Sequence, residues 1–174
     1  MSGDTGPDVH ARTSAYLRDV SMLASSPNRD RDRDRGRDRD RAFVAEVLRD
    51  HPDSMGAKTV VVALVDATAR GVTGPEEFRQ WAAGVLPEIE RLDVESYREF
   101  IRRRVDDWLL CLSVADGHVP TPGELAEVTD WMQRHLAEGS RSPAVLAVVA
   151  ESARTRKTRN IAKNRANSRE LKAE

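Results

Sequence analysis

At 174 residues, with 39% hydrophobic and 33% charged side chains, the chain suits one domain with appendages and is too polar to lie wholly in a core. Its 28 Lys and Arg against 29 Asp and Glu give a formal net charge of −1, and the single Cys111 excludes an internal disulfide. The opening residues MSGDTGPDVHARTS lack the apolar stretch of a secretory signal, and no apolar run approaches the roughly 18–20 residues of a membrane span, so a cytoplasmic protein with no membrane partner is expected.

Residues 9–24 set Val9, Tyr16, Leu17, Val20 and Leu23 at helical intervals before the breaker Ser25-Ser26-Pro27, giving a helical N-terminal segment over 1–28. Residues 29–41 read RDRDRDRGRDRDR. As a strand this alternation has nothing apolar to bury, and as a helix its i,i+4 pairs repel, so a low-complexity Arg-Asp linker without regular structure is predicted. Five Asp against seven Arg leave it little pull on phosphate.

A helical body is predicted over 42–151. A short amphipathic helix over 42–50 stops at His51-Pro52. A second covers 55–70: its Val60-Val61-Val62 run also suits a buried strand, but surrounding alanines and Gly71 in the place of a C-terminal glycine favour helix. Thr73-Gly74-Pro75-Glu76-Glu77 opens a third, carrying Phe78, Trp81 and Val85, with Gly84 and Pro87 expected to break or kink it. The longest runs over 94–115, where Tyr97, Ile101, Val105, Trp108 and Leu112 form a stripe. Thr121 with Glu124 three residues later has capping-box spacing and starts a helix carrying Leu125, Val128, Met132 and Leu136 as far as Gly139. Ser142-Pro143 opens the last, with Val145, Leu146, Val149 and Ala153 facing the body. The predicted fold is all-α, a compact bundle of six to seven helices in which Trp81, Trp108 and Trp131 share one core.

Residues 152–174 form a basic C-terminal extension. Within 152–169, SARTRKTRNIAKNRANSR, seven of eighteen residues are Arg or Lys and none is acidic. Setting those seven aside leaves 21 basic residues against 29 acidic ones, so an acidic body carries a cationic end. The apolar stripe stops at Arg154 and only Ile161 remains as a large apolar side chain, which predicts a protruding helix that is polar all round. Arg154, Arg156, Lys157, Arg159, Lys163, Arg165 and Arg169 are the candidate nucleic-acid-binding residues. Arg suits bidentate phosphate contact, and Asn160, Asn164 and Asn167 add neutral groups that reach phosphates or base edges. No aromatic side chain is interleaved for base stacking.

Other motifs are weaker. His51-Pro52-Asp53 between two helices resembles the signature tripeptide of the J-domain co-chaperones, but the flanking helices lack that family's basic face and charged-aromatic pattern. Gly56-Ala57-Lys58-Thr59 echoes the end of a phosphate-binding loop without its first glycine or a preceding strand. His10, His51, His118 and His135 have no metal-ligand spacing, Asp116 and His118 share a loop as a turn does, and no catalytic constellation, cofactor site or metal site is expected. Arg102-Arg103-Arg104 is neutralised locally by Asp106-Asp107.

The expected function is that of a small accessory protein whose basic helix engages the nucleic-acid phosphate backbone, DNA favoured over RNA, while the acidic body meets protein partners or another copy of itself. A helix-turn-helix reading of 122–153, with its turn at 139–142, leans towards DNA. The alternative is a non-enzymatic interaction module whose basic helix docks on an acidic protein surface, its own or a partner's.

Overall fold

The computed structural model describes residues 11, 14–16, 18, 29–51 and 53–168, and their regular structure is all α-helical. The helices are α1 (Arg29–Asp50), α2 (Met55–Gly71), α3 (Pro75–Ile89), α4 (Glu95–Ala115), α5 (Pro122–Glu127), α6 (Asp130–Gly139), α7 (Pro143–Ser152) and α8 (Arg156–Ala166), with residues 11, 14–16 and 18 also helical. The all-α class read from the periodicity is the class adopted. The chain divides into two units, Met1–Val105 and Asp106–Glu174, with the boundary inside α4, where the sequence suggests a single body over 42–151.

In the first unit the structure departs from the expected linker: the Arg-Asp repeat is the opening half of α1. Alternation at period two sets like charges at i,i+4 but opposite charges at i,i+3, and Arg37 pairs with Asp34 in that second register. The end of the repeat is also anchored. Asp40 is buried, accepting a hydrogen bond from Trp81 Nε1 at 3.0 Å and another from the Tyr16 hydroxyl. The Tyr16 ring stacks on Phe43 with centroids 4.0 Å apart. Arg37 donates to Gln80 at 2.9 Å, and Arg41 pairs with Glu88 at 2.9 Å, so the middle of α1 is tied to α3. Val44 and Leu48 continue the contact as fully buried core.

The Val60–Val61 run is helical, with Val60, Val61, Leu64 and Val65 all buried. Ser54 caps that helix, its Oγ accepting from Gly56 N at 3.0 Å. Gly71 is the last helical residue rather than a residue beyond the end, and Val72 turns away in extended conformation. Pro87 does not break α3: it stands in the last turn, and both it and Ala83, whose carbonyl loses an N–H partner, are exposed to water. Phe78, Trp81, Val85, Ile89 and Leu92 fill the core, joined by Ile101 and Val105 of α4.

The second unit closes around Leu125, Val128, Met132, Leu136, Val145, Leu146 and Val149. The single helix expected from Pro122 to Gly139 is two. It breaks at Val128 because Thr129 leaves the helix to cap α6, accepting from Met132 N at 3.3 Å, while buried Asp107 takes the Thr129 N–H at 2.9 Å and its hydroxyl at 2.6 Å. The predicted capping box of Thr121 and Glu124 forms. Gly117, with φ of 100°, supplies the left-handed residue after α4. The three tryptophans do not share one core: Trp81 is buried in the first unit, whereas Trp108 in the second packs edge-on against Trp131, which is 38% exposed and stacks on His135.

Candidate nucleic-acid interface

The basic segment begins at the end of α7, where Ala153-Arg154-Thr155 make a three-residue turn into α8. Ala153 is buried and extended, its N–H still bonding Val149 O at 3.1 Å. Thr155 caps α8 by accepting from Thr158 N at 3.1 Å. The turn is fixed from beneath by Gln133, which is 1% exposed. Its Nε2 donates to Leu125 O at 2.7 Å and its Oε1 accepts from Arg154 N at 2.8 Å, so one amide joins the end of α5 to the α7–α8 turn.

The expected protrusion of this helix is corrected by the structure: α8 packs on both α6 and α7. A stripe of large apolar side chains is absent, but small ones serve in its place. Thr158 and Ala162 are buried and Ile161, Arg165 and Ala166 half-buried, so the backbone lies close against its neighbours. The readable signal is the three- and four-residue spacing of Thr155, Thr158, Ala162 and Ala166.

This packing sorts the seven candidate cations. Arg154 donates to Ala126 O at 2.9 Å and Val128 O at 3.3 Å, and pairs with Asp130. Arg159 donates to Ala153 O at 2.6 Å and Arg154 O at 3.2 Å. Arg165 donates to Glu138 O and to Ser140 O at 3.1 Å. Each of the three guanidinium groups thus closes the C-terminus of a different helix, α5, α7 and α6 in turn, where carbonyls lack intrahelical partners and the helix dipole favours positive charge. Their partners are mostly carbonyls, with Asp130 the acidic one. The side chains of Arg156, Lys157 and Lys163 are exposed and make no hydrogen bond or ion pair with another described residue. Arg169 lies outside the described residues.

The three cations left over converge. Arg156, Lys157, Asn160, Lys163, Asn164 and Asn167 are all exposed. At about 100° per residue they fall within an arc of about 120°. Sequence alone scatters the charge around the whole circumference; burial removes the other half and leaves one sector of three cations and three amides, on a helix with no acidic residue. Such a face offers point charge, a forked guanidinium and amides able both to donate and to accept.

The remaining motifs serve local structure. His51 N–H bonds Val47 O at 3.1 Å and its carbonyl accepts from Ser54 N at 3.3 Å, so His51 serves the passage from α1 to α2. Gly56–Thr59 lie inside α2. His118 turns to Glu124 at 3.1 Å rather than to Asp116, and the capping bonds from Thr121 together with His118 hold the Glu124 carboxyl below its ordinary range. Burial, with Asp107 nearby, pushes the Cys111 thiol up and away from reactive thiolate. Among the described residues no helix is long and apolar enough to cross a membrane, and no three of His, Cys, Asp and Glu are grouped to hold a metal ion. Compared with protein-family models, curated proteins and solved structures, the chain matches none.

Proposed function

We propose that the protein binds nucleic acid through the outer sector of α8, contacting the phosphate backbone with Arg156, Lys157 and Lys163, with DNA favoured over RNA. The observation that carries this reading is the partition of charge. Arg154, Arg159 and Arg165 are occupied by helix ends, while the remaining described cations share one exposed face with three asparagines and no acid. A helix held on its inner side and cationic on its outer side is a rigid presentation of charge, and ordering costs little when a polyanion arrives. Binding proceeds by neutralising phosphates and releasing their counterions.

The test is a salt titration. Log affinity should fall linearly with log salt, and replacing Arg156, Lys157 and Lys163 together by Ala should reduce the slope by about 2–3 for contacts worth about 0.7–0.9 each. The variant should unfold at the wild-type temperature, because none of the three side chains supports the core. Lack of binding to DNA and RNA at low salt would sink the proposal.

A further inference from the structure

We infer that α7 and α8 form a helix-turn-helix whose second helix enters the major groove of duplex DNA, where Asn160 and Asn164 read adenines. The inference rests on the nucleic-acid reading above and narrows it, from any phosphate backbone to a duplex with a preferred sequence.

Three observations converge. The first is the connection: α7 and α8 are joined by the three residues 153–155, packed on one another, and both packed on α6. That is the arrangement in which a supporting helix holds a recognition helix at a fixed angle. The turn is braced by Gln133 and by the Arg154 guanidinium, so the angle belongs to the fold and not to the ligand. This places the helix pair one helix later than the sequence suggests.

The second is the shape of the sector. α8 has eleven residues, about 16 Å of helix, and a helix diameter of about 10–12 Å matches a major groove about 12 Å wide. Asn160 and Asn164 stand one turn apart, about 6 Å along the axis against about 3.4 Å per base pair, so they meet base pairs one to two steps apart.

The third is chemistry. Phosphate needs only charge, which Arg156, Lys157 and Lys163 supply at both edges of the arc. The asparagines between them add nothing to charge neutralisation. An exposed Asn amide matches adenine N6 and N7 in a bidentate pair. The same sector suits RNA poorly: an A-form major groove is too deep and narrow for side chains, and the sector holds no aromatic ring on which unpaired bases would stack.

The experiment selects binding sites from a randomised duplex pool with the full-length protein, then measures affinity for the selected site and for versions with each adenine pair replaced. Expected is an enriched site with adenines one or two steps apart. Asn160→Ala and Asn164→Ala should each abolish discrimination at one adenine, about 5- to 150-fold, with non-specific affinity and thermal unfolding unchanged. A pool that returns no preferred sequence while salt-sensitive duplex binding persists overturns this inference and leaves the backbone reading standing. So does tighter binding to single strands or to duplex RNA, or an adenine preference that both variants retain. If the protein binds no nucleic acid at all, both readings fall together.

Discussion

Asp40 is the residue where local sequence and final environment disagree most. It belongs to an alternating charged repeat, yet the residue is 6% exposed and its carboxylate accepts hydrogen bonds from Trp81 and Tyr16. Burial pushes its proton affinity up, and the two donors with Arg39 only partly offset this. The folded state therefore holds the proton more tightly than the unfolded chain. The stability Asp40 contributes is complete below the ordinary carboxylate range, about pH 4, and declines as pH rises through its raised value. Denaturant unfolding from pH 4 to 7 should show the wild type losing stability relative to Asp40→Asn, which does not titrate; parallel profiles would refute the assignment. Trp108 gives a second check at this scale. It is 4% exposed and packs edge-on against both Trp131 and His135, so Trp108→Ala should cost roughly 3–5 kcal/mol by denaturant unfolding. A loss under about 0.5 kcal/mol would mark it as surface.

At the scale of the element, most helices were legible and their ends were not. The stripe Tyr97–Ile101–Val105–Trp108 and the capping box at Thr121 announce themselves by spacing alone. The break at Thr129 does not, because it depends on Asp107, twenty-two positions earlier, arriving to hold the Thr129 amide and hydroxyl. The helicity of the Arg-Asp repeat is not legible for a similar reason: its own i,i+4 charges oppose helix, and Trp81 of α3 holds Asp40 from outside. The inner face of α8 is hard to read from sequence because Thr158 and Ala162 carry too little apolar surface to form a stripe. The carbonyls they bring within reach give Arg159 and Arg165 their task. Arg159→Ala and Arg165→Ala should each lower stability by about 1–2 kcal/mol, as charged hydrogen bonds at helix ends do, and leave the salt slope of nucleic-acid binding unchanged. The triple change on the outer sector should do the reverse. If Arg165→Ala instead weakened binding with no change in unfolding, the partition of cations argued from the geometry would be wrong.

Across the whole molecule the segregation of charge narrows to the second unit. Residues 1–105 carry 18 basic and 19 acidic side chains, whereas 106–151 carry two basic and eight acidic, directly before the seven basic residues of 152–169. That unit is electrically polarised, which orients an approaching polyanion towards α8 and away from the acidic helices. The sequence displays this asymmetry plainly; it cannot display that the cationic end also completes the unit's packing. A chain ending after Ser152 should therefore lose amide-exchange protection across α5, α6 and α7 while α2 and α3 retain theirs. Uniform protection in that shortened chain would restore α8 to the status of an appendage. The dependence has a consequence for biosynthesis. On the ribosome α5, α6 and α7 leave the exit tunnel ahead of α8, so three sets of terminal carbonyls reach water before Arg154, Arg159 and Arg165 follow them out. Maturation of this unit is held until its final helix emerges, and a nascent chain terminated early is an open substrate for proteolytic quality control.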